Sequence, residues 1–202
     1  MRLSRTLIVL ALLAIACAPA AAQGWTPASE FHGRLANVSK KQTLESVLYD
    51  PSYRVIAYPG GDVPRNRGVC TDVLVRAYRE FQIDLQVLVH EDMRDNFDKY
   101  PQNWHLRAPD TNIDHRRVPN LVTFFKRHGE TLRVSDKGLD YRPGDLVTWT
   151  VAGSLPHIGI VSDELTRDGQ RPLIVHNIGE GPKLEDMLFE YPITGHYRYP
   201  GA

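Results

Sequence analysis

The chain has 202 residues, with 24 Lys and Arg against 24 Asp and Glu, so its formal charge is zero. That balance provides no electrostatic footprint for nucleic acid or an anionic membrane, and neither is expected as a partner. Its length suits one domain with a substantial core.

The N-terminus begins Met1-Arg2-Leu3-Ser4-Arg5, runs apolar from Leu7 to Ala16 and reaches Ala20-Ala21-Ala22 before Gln23. Two cations, a short apolar stretch and small residues at the end have the form of a secretory signal peptide. Residues 1–22 are therefore read as a leader cleaved after Ala22, and 23–202 as a single mature domain, periplasmic or secreted. Acylation at Cys17 is the less favoured alternative, because Ala14 and Ile15 fit a lipoprotein signal poorly. The leader's apolar run is too short for a permanent anchor, and no other segment is apolar enough to span a bilayer. Removing Arg2 and Arg5 shifts the mature charge to −2.

After cleavage Cys70 is the sole cysteine. Exported proteins usually pair their cysteines, so a lone one points to a reactive thiol or an intermolecular bridge. It also has a plainer reading as a small buried hydrophobe.

In chain order, Ser29 to Leu48 is expected to include a short helix. Tyr49 to Gly68, punctuated by Pro51, Pro59-Gly60-Gly61 and Pro64, reads as a structured loop. Val69, Val73, Leu74, Ala77, Tyr78 and Phe81 recur at three- and four-residue steps and predict a helix with one buried face, Cys70 lying at its start. Leu85 to Phe97 reads as a second helix and Asn96 to Asp114 as loop. Pro119 opens a third helix ended by Gly129. Pro143-Gly144-Asp145 is a turn into the strand Leu146–Val151. Ile158–Val161, Leu173–Val175 and Gly195–Tyr199 read as further strands. Helices followed by an antiparallel sheet predict an α+β fold.

A helix N-terminus and a nearby imidazolium both lower a thiol pKa, so Cys70 is the candidate nucleophile. Among eight histidines, His157 stands at the entrance to a strand, where it can face a helix end. A catalytic imidazole also needs a group to orient it. His157, Gly159 and Val161 share one strand face, and Ile174, His176 and Ile178 share one on the next. A tight turn at Asp168-Gly169 sets His176 against Val161, about 13 Å from the level of His157. A six-residue loop from Glu164 to Gly169 sets it opposite His157, with β-carbons about 5 Å apart. His176 is therefore the expected orienting residue, with Asn177 in reserve. Asp114-His115-Arg116-Arg117 reads either as a solvated loop or as a site for a substrate carboxylate. His90-Glu91-Asp92 reads as surface, and Tyr53, Tyr58 and Trp104 as loop aromatics that either line a cleft or pack.

Together these residues resemble the NlpC-type cysteine peptidases, a bacterial branch of the papain-like superfamily. The resemblance rests on Cys70 at a helix start, Pro143-Gly144-Asp145-Leu146-Val147, His157 within His-Ile-Gly-Ile-Val, and His176 one strand later. More closely, the chain is similar to a secreted bacterial family designated domain of unknown function 1287. That similarity rests on Pro59-Gly60-Gly61-Asp62-Val63-Pro64, Gly68-Val69-Cys70-Thr71-Asp72, Asn112 to Asn120 and Val175-His176-Asn177-Ile178-Gly179. The superfamily pattern usually has Asp before the nucleophile and Ser-Gly after it, where this chain has Val69 and Thr71-Asp72.

The resemblance implies a papain-like fold and a Cys70–His157–His176 triad without metal or cofactor. It also implies a monomeric hydrolase cleaving amide bonds of peptidoglycan stem peptides. The alternatives are a lipid acyl hydrolase or acyltransferase on the same triad, a catalytically inactive wall-binding module, and a zinc site at the same three residues. The sequence lacks the C-x-x-C and H-E-x-x-H spacings that would favour zinc.

Overall fold

A computed structural model describes residues 24–201. The expected leader, residues 1–22, and Cys17 lie outside the described residues. Four α-helices precede most of the sheet: α1 Glu30–Lys41, α2 Cys70–Arg79, α3 Leu85–Asp95 and α4 Val118–His128. The strands are β1 Leu48–Tyr49, β2 Arg67–Gly68, β3 Glu130–Leu132, β4 Leu146–Val151, β5 Leu155–Leu165, β6 Pro172–His176, β7 Lys183–Glu185 and β8 Ile193–Arg198. β1 and β2 form a small parallel pair, and the rest one antiparallel sheet in the order β3-β8-β4-β5-β6-β7. The α+β architecture expected from the sequence is present. Among the described residues no helix is long and apolar enough to cross a membrane.

Alternation along the strands divides the interior into two layers. Ile158 and Ile160 of β5 and Leu146 of β4 face the helices, packing with Leu74 and Tyr78 of α2, Val89 of α3 and Phe125 of α4. Val147, Trp149 and Val161 face the other side and pack with Ile174, Met187 and Leu188. His157 stands opposite Trp149 in the β4–β5 register and so belongs to this second face.

The turn before β4 has a structural task. Gly144 adopts φ +85°, and a β-carbon there would lie 2.3 Å from the His32 carbonyl oxygen. Its N–H donates to Val161 O at 2.8 Å. Asp145 is fully buried and receives Arg198 Nε at 2.8 Å and a 2.8 Å contact from the His196 ring. The Pro-Gly-Asp turn thus locks the start of β4 to β5 and β8.

Candidate functional site

Cys70 is the first residue of α2, as the helical periodicity predicts. Asp72, in the helix's first turn, accepts the Val69 N–H at 2.7 Å. That carboxylate is held by Arg116, whose Nε and Nη2 reach its two oxygens at 2.9 and 3.0 Å. Thr71 Oγ1 donates to Arg116 O at 3.1 Å. The Thr71-Asp72 pair therefore clamps α2 to the segment before α4. Arg116 also donates to Ser52 O and Asp50 O at 3.3 and 3.1 Å.

These contacts correct the reading of Asp114–Arg117. Asp114, His115 and Arg116 are buried, so the stretch is not a solvated loop, and Arg116 has no free edge for a substrate carboxylate. Arg116 and Arg117 both line the Cys70 cleft, and of the two only Arg117 keeps part of its donor fork unused. Asp92 was expected at the surface; instead it accepts Tyr100 Oη at 2.7 Å and Arg127 Nε at 2.7 Å. Tyr53 bonds Asp110, and Tyr58 packs edge-on against His90. Of the three loop aromatics, Trp104 lines the cleft with Cys70.

His157 lies inside β5 rather than at its entrance, which starts two residues earlier. The β5–β6 hairpin begins with Leu165 opposite Pro172, the tight register. An irregularity between Val161 and Leu165 then shifts the pairing to Val161–Ile174 and Ile160–Val175. His176 is thereby level with Gly159, diagonal to His157 rather than directly across from it. Direct opposition is corrected, because a bulge changed the register by an amount that neither simple loop supplies. The shared face survives. A β-carbon on Gly159 would lie 2.7 Å from Ile174 Cγ2 and 3.2 Å from His176 Cβ, so the glycine lets the two histidines close.

His157 Nε2 and His176 Nδ1 are 3.0 Å apart. His176 Nε2 is in turn 3.0 Å from Glu185 Oε2, on β7. This order fixes the tautomers. The Glu185 carboxylate accepts, so His176 carries its proton on Nε2 and offers a lone pair at Nδ1. His157 then donates through Nε2–H, leaving its own Nδ1 unprotonated. Glu185 has no counterpart in the sequence reading; the only signal is a carboxylate on the strand following His176. Asn177 turns to the opposite face, where Nδ2 donates to Gly68 O at 3.4 Å.

The sulfur approaches β5 at its backbone. Odd-numbered residues of β5 bond toward β4, as Val161 does with Asp145 O, so Ile158 N–H points to the β6 side. β6 ends at His176, and there the Ile158 N–H lies near enough to the Cys70 sulfur to favour its charged form. Among the described residues no hydrogen bond joins the sulfur to either imidazole.

The resting charges differ from expectation. Burial pushes the Cys70 thiol up to about 12, with Asp72 adding to the effect and Ile158 N–H opposing it. Burial pulls His157 down to about 3, and His176 adds to the shift. Burial also lowers His176, against the pull of Glu185. The free protein therefore holds a neutral thiol and neutral imidazoles; desolvation outweighs the helix N-terminus that was expected to favour a thiolate.

The Cys70 cleft has a volume of about 320 Å³, with walls from Tyr49, Val69, Trp104, Arg117, Val118 and Pro156 among others. A larger depression of about 620 Å³ lies beside α1 and α2 among Lys41, Glu45, Asp62 and Arg76, and holds none of the three predicted site residues. Among the described residues no three His, Cys, Asp or Glu side chains converge as a metal-ligand set.

The family model described as "Domain of unknown function (DUF1287)" matches residues 36–199. A relative from Escherichia coli (strain K12), named "Uncharacterized protein YijF", is 53% identical over 165 residues, covering 82% of this chain and 80% of that protein. No solved structure matches the chain. The match over residues 36–199 and the 53% identity place the chain in the DUF1287 domain family.

Proposed function

We propose that the chain is an exported thiol hydrolase with an NlpC-type, papain-like arrangement, acting on amide bonds of peptidoglycan stem peptides. The observation that carries this reading is the ordered hydrogen-bond chain from Glu185 through His176 to His157, on a strand whose next residue, Ile158, brings its backbone N–H near the Cys70 sulfur.

In the proposed reaction His157 Nδ1 takes the Cys70 thiol proton as the sulfur attacks the substrate carbonyl. Ile158 N–H stabilises the sulfur as negative charge develops on it, and Cys70 N–H, at the helix start, faces the oxyanion. The C–N bond breaks, His157 returns the proton to the departing amine, and a thioester remains on Cys70. Water then attacks the thioester and gives one proton to His157. The carboxylic acid leaves, and that proton restores the thiol.

The transfer starts from a neutral thiol and a neutral imidazole, so the proton moves as the sulfur attacks rather than before it. Cys70→Ala is expected to abolish amine release from purified cell wall while the circular dichroism spectrum stays native. Undiminished release by that variant would reject the mechanism.

A second reading, hydrolysis or transfer of lipid acyl groups on the same residues, draws support from the apolar walls formed by Val69, Val118 and Pro156. Product analysis separates the two, since lipid substrates release fatty acid rather than a new amine.

A further inference from the structure

Arg117 and Arg116 are adjacent, line the same cleft and are used differently. Four of the five Arg116 donors are taken by Asp72, Ser52 and Asp50. The side chain of Arg117 is 16% exposed, and its guanidinium lies 4.1 Å from the Trp104 ring centroid. One bond holds it, from Nη1 to Asp114 Oδ1 at 3.2 Å. Among the described residues Nε and Nη2 have no hydrogen-bond partner, although a guanidinium offers five donors in a planar fork. Neighbouring carboxylates do not complete it. Asp114 also accepts the Asp110 N–H, and Asp110 is engaged by Tyr53 Oη and Asn112. Burial lowers the Arg117 pKa despite both acids, so the cation is under-compensated where it stands.

A mostly buried guanidinium, stacked on an indole and with part of its donor fork unused, matches a planar two-oxygen anion. The cleft it lines has Cys70 in its wall and is otherwise mainly apolar. We propose that Arg117 and Trp104 form a carboxylate subsite, which takes the free carboxylate of an N-acylated amino acid or short peptide whose carbonyl is presented to Cys70. The subsite deepens the thiol-hydrolase reading and rests on it for the substrate's direction, but binding at Arg117 does not require turnover.

The test uses the full mature chain carrying Cys70→Ala, so that nothing is consumed. N-acetyl-alanyl-alanine and its C-terminal amide are titrated by calorimetry, with Trp fluorescence as a second readout. The acid is expected to bind about tenfold or more tighter than the amide, the size of one charge-assisted hydrogen-bond pair. Adding Arg117→Gln should bring the acid down to the amide's affinity and leave the amide unchanged, whereas Arg117→Lys should restore part of the preference. Equal affinity for acid and amide with Arg117 intact overturns the proposal, whether or not Arg117→Gln folds. So does failure of the acid to bind saturably, or inorganic phosphate binding as tightly as the acid. Loss of hydrolysis in Cys70→Ala bears on the thiol mechanism, and acid–amide discrimination on the subsite, so the two can fail separately.

Discussion

Glu185 is partly exposed on β7, yet its carboxylate decides which nitrogen of a buried ring two residues away in the relay carries a proton. Lys183 Nζ stands 3.8 Å from its other oxygen and keeps it charged company. In the proposed reaction Glu185 is a positioning residue: without an acceptor at its place, His176 is free to protonate Nδ1, and His157 then loses its partner for Nε2–H. Glu185→Ala is expected to lower kcat/KM about tenfold to hundredfold, the value of one charge-assisted hydrogen bond, almost wholly through kcat. Nitrogen-15 shifts should show His157 moving away from a single Nε2–H tautomer, a change that a purely structural role would not produce. Unaltered shifts and kcat would remove Glu185 from the relay. The residue escaped sequence reading because its role depends on β6 and β7 pairing in one register, with Ile174 opposite Glu185, and no local pattern encodes that contact.

The elements that place Cys70 are held by a pair that also could not be read locally. Asp72 suits a helix first turn in any sequence; that its charge is matched by Arg116, forty-four positions away, needs α2 and the segment before α4 to be packed together. Both side chains are almost fully buried, at 2% and 3% exposure. Breaking one partner leaves the other charge stranded. Arg116→Met is therefore expected to destabilise the chain by about 3 to 5 kcal/mol, measured by urea unfolding, and to expose Cys70 to alkylation in the residual native state. Loss below about 1 kcal/mol would mean that Asp72 finds water or another donor. The helices themselves were legible, since periodic apolar residues in α2 and proline near the start of α4 announce them. The short strands β3 and β7 were not: three residues carry too little alternation to stand out.

The whole molecule buries neutral histidines, and this makes its stability depend on pH. His115, 2% exposed, is lowered to about 4 by burial, with Arg79 and Arg116 pushing the same way; His157 is lowered to about 3. An unfolded histidine takes its proton near pH 6.5. Between those values the unfolded chain binds more protons, so stability is complete above about pH 6.5 and falls as the pH drops toward 4. Urea unfolding at pH 7.5 and 4.5 should show that decline. His115→Leu should reduce it by on the order of 2 kcal/mol, and an identical decline in both proteins would show that His115 titrates freely in the fold.

The sequence by itself determined the order of the main helices and strands, the placing of Cys70 at a helix start, and the shared face of His157 and His176, because periodicity and strand parity are local properties that survive any packing. Tertiary structure alone decided the register that sets His176 diagonal to His157, the recruitment of Glu185, the neutral state of the thiol and the division of labour between Arg116 and Arg117. Each of these depends on distances between segments remote in sequence and on how much water the packed chain excludes, and neither quantity is written in any short stretch of residues.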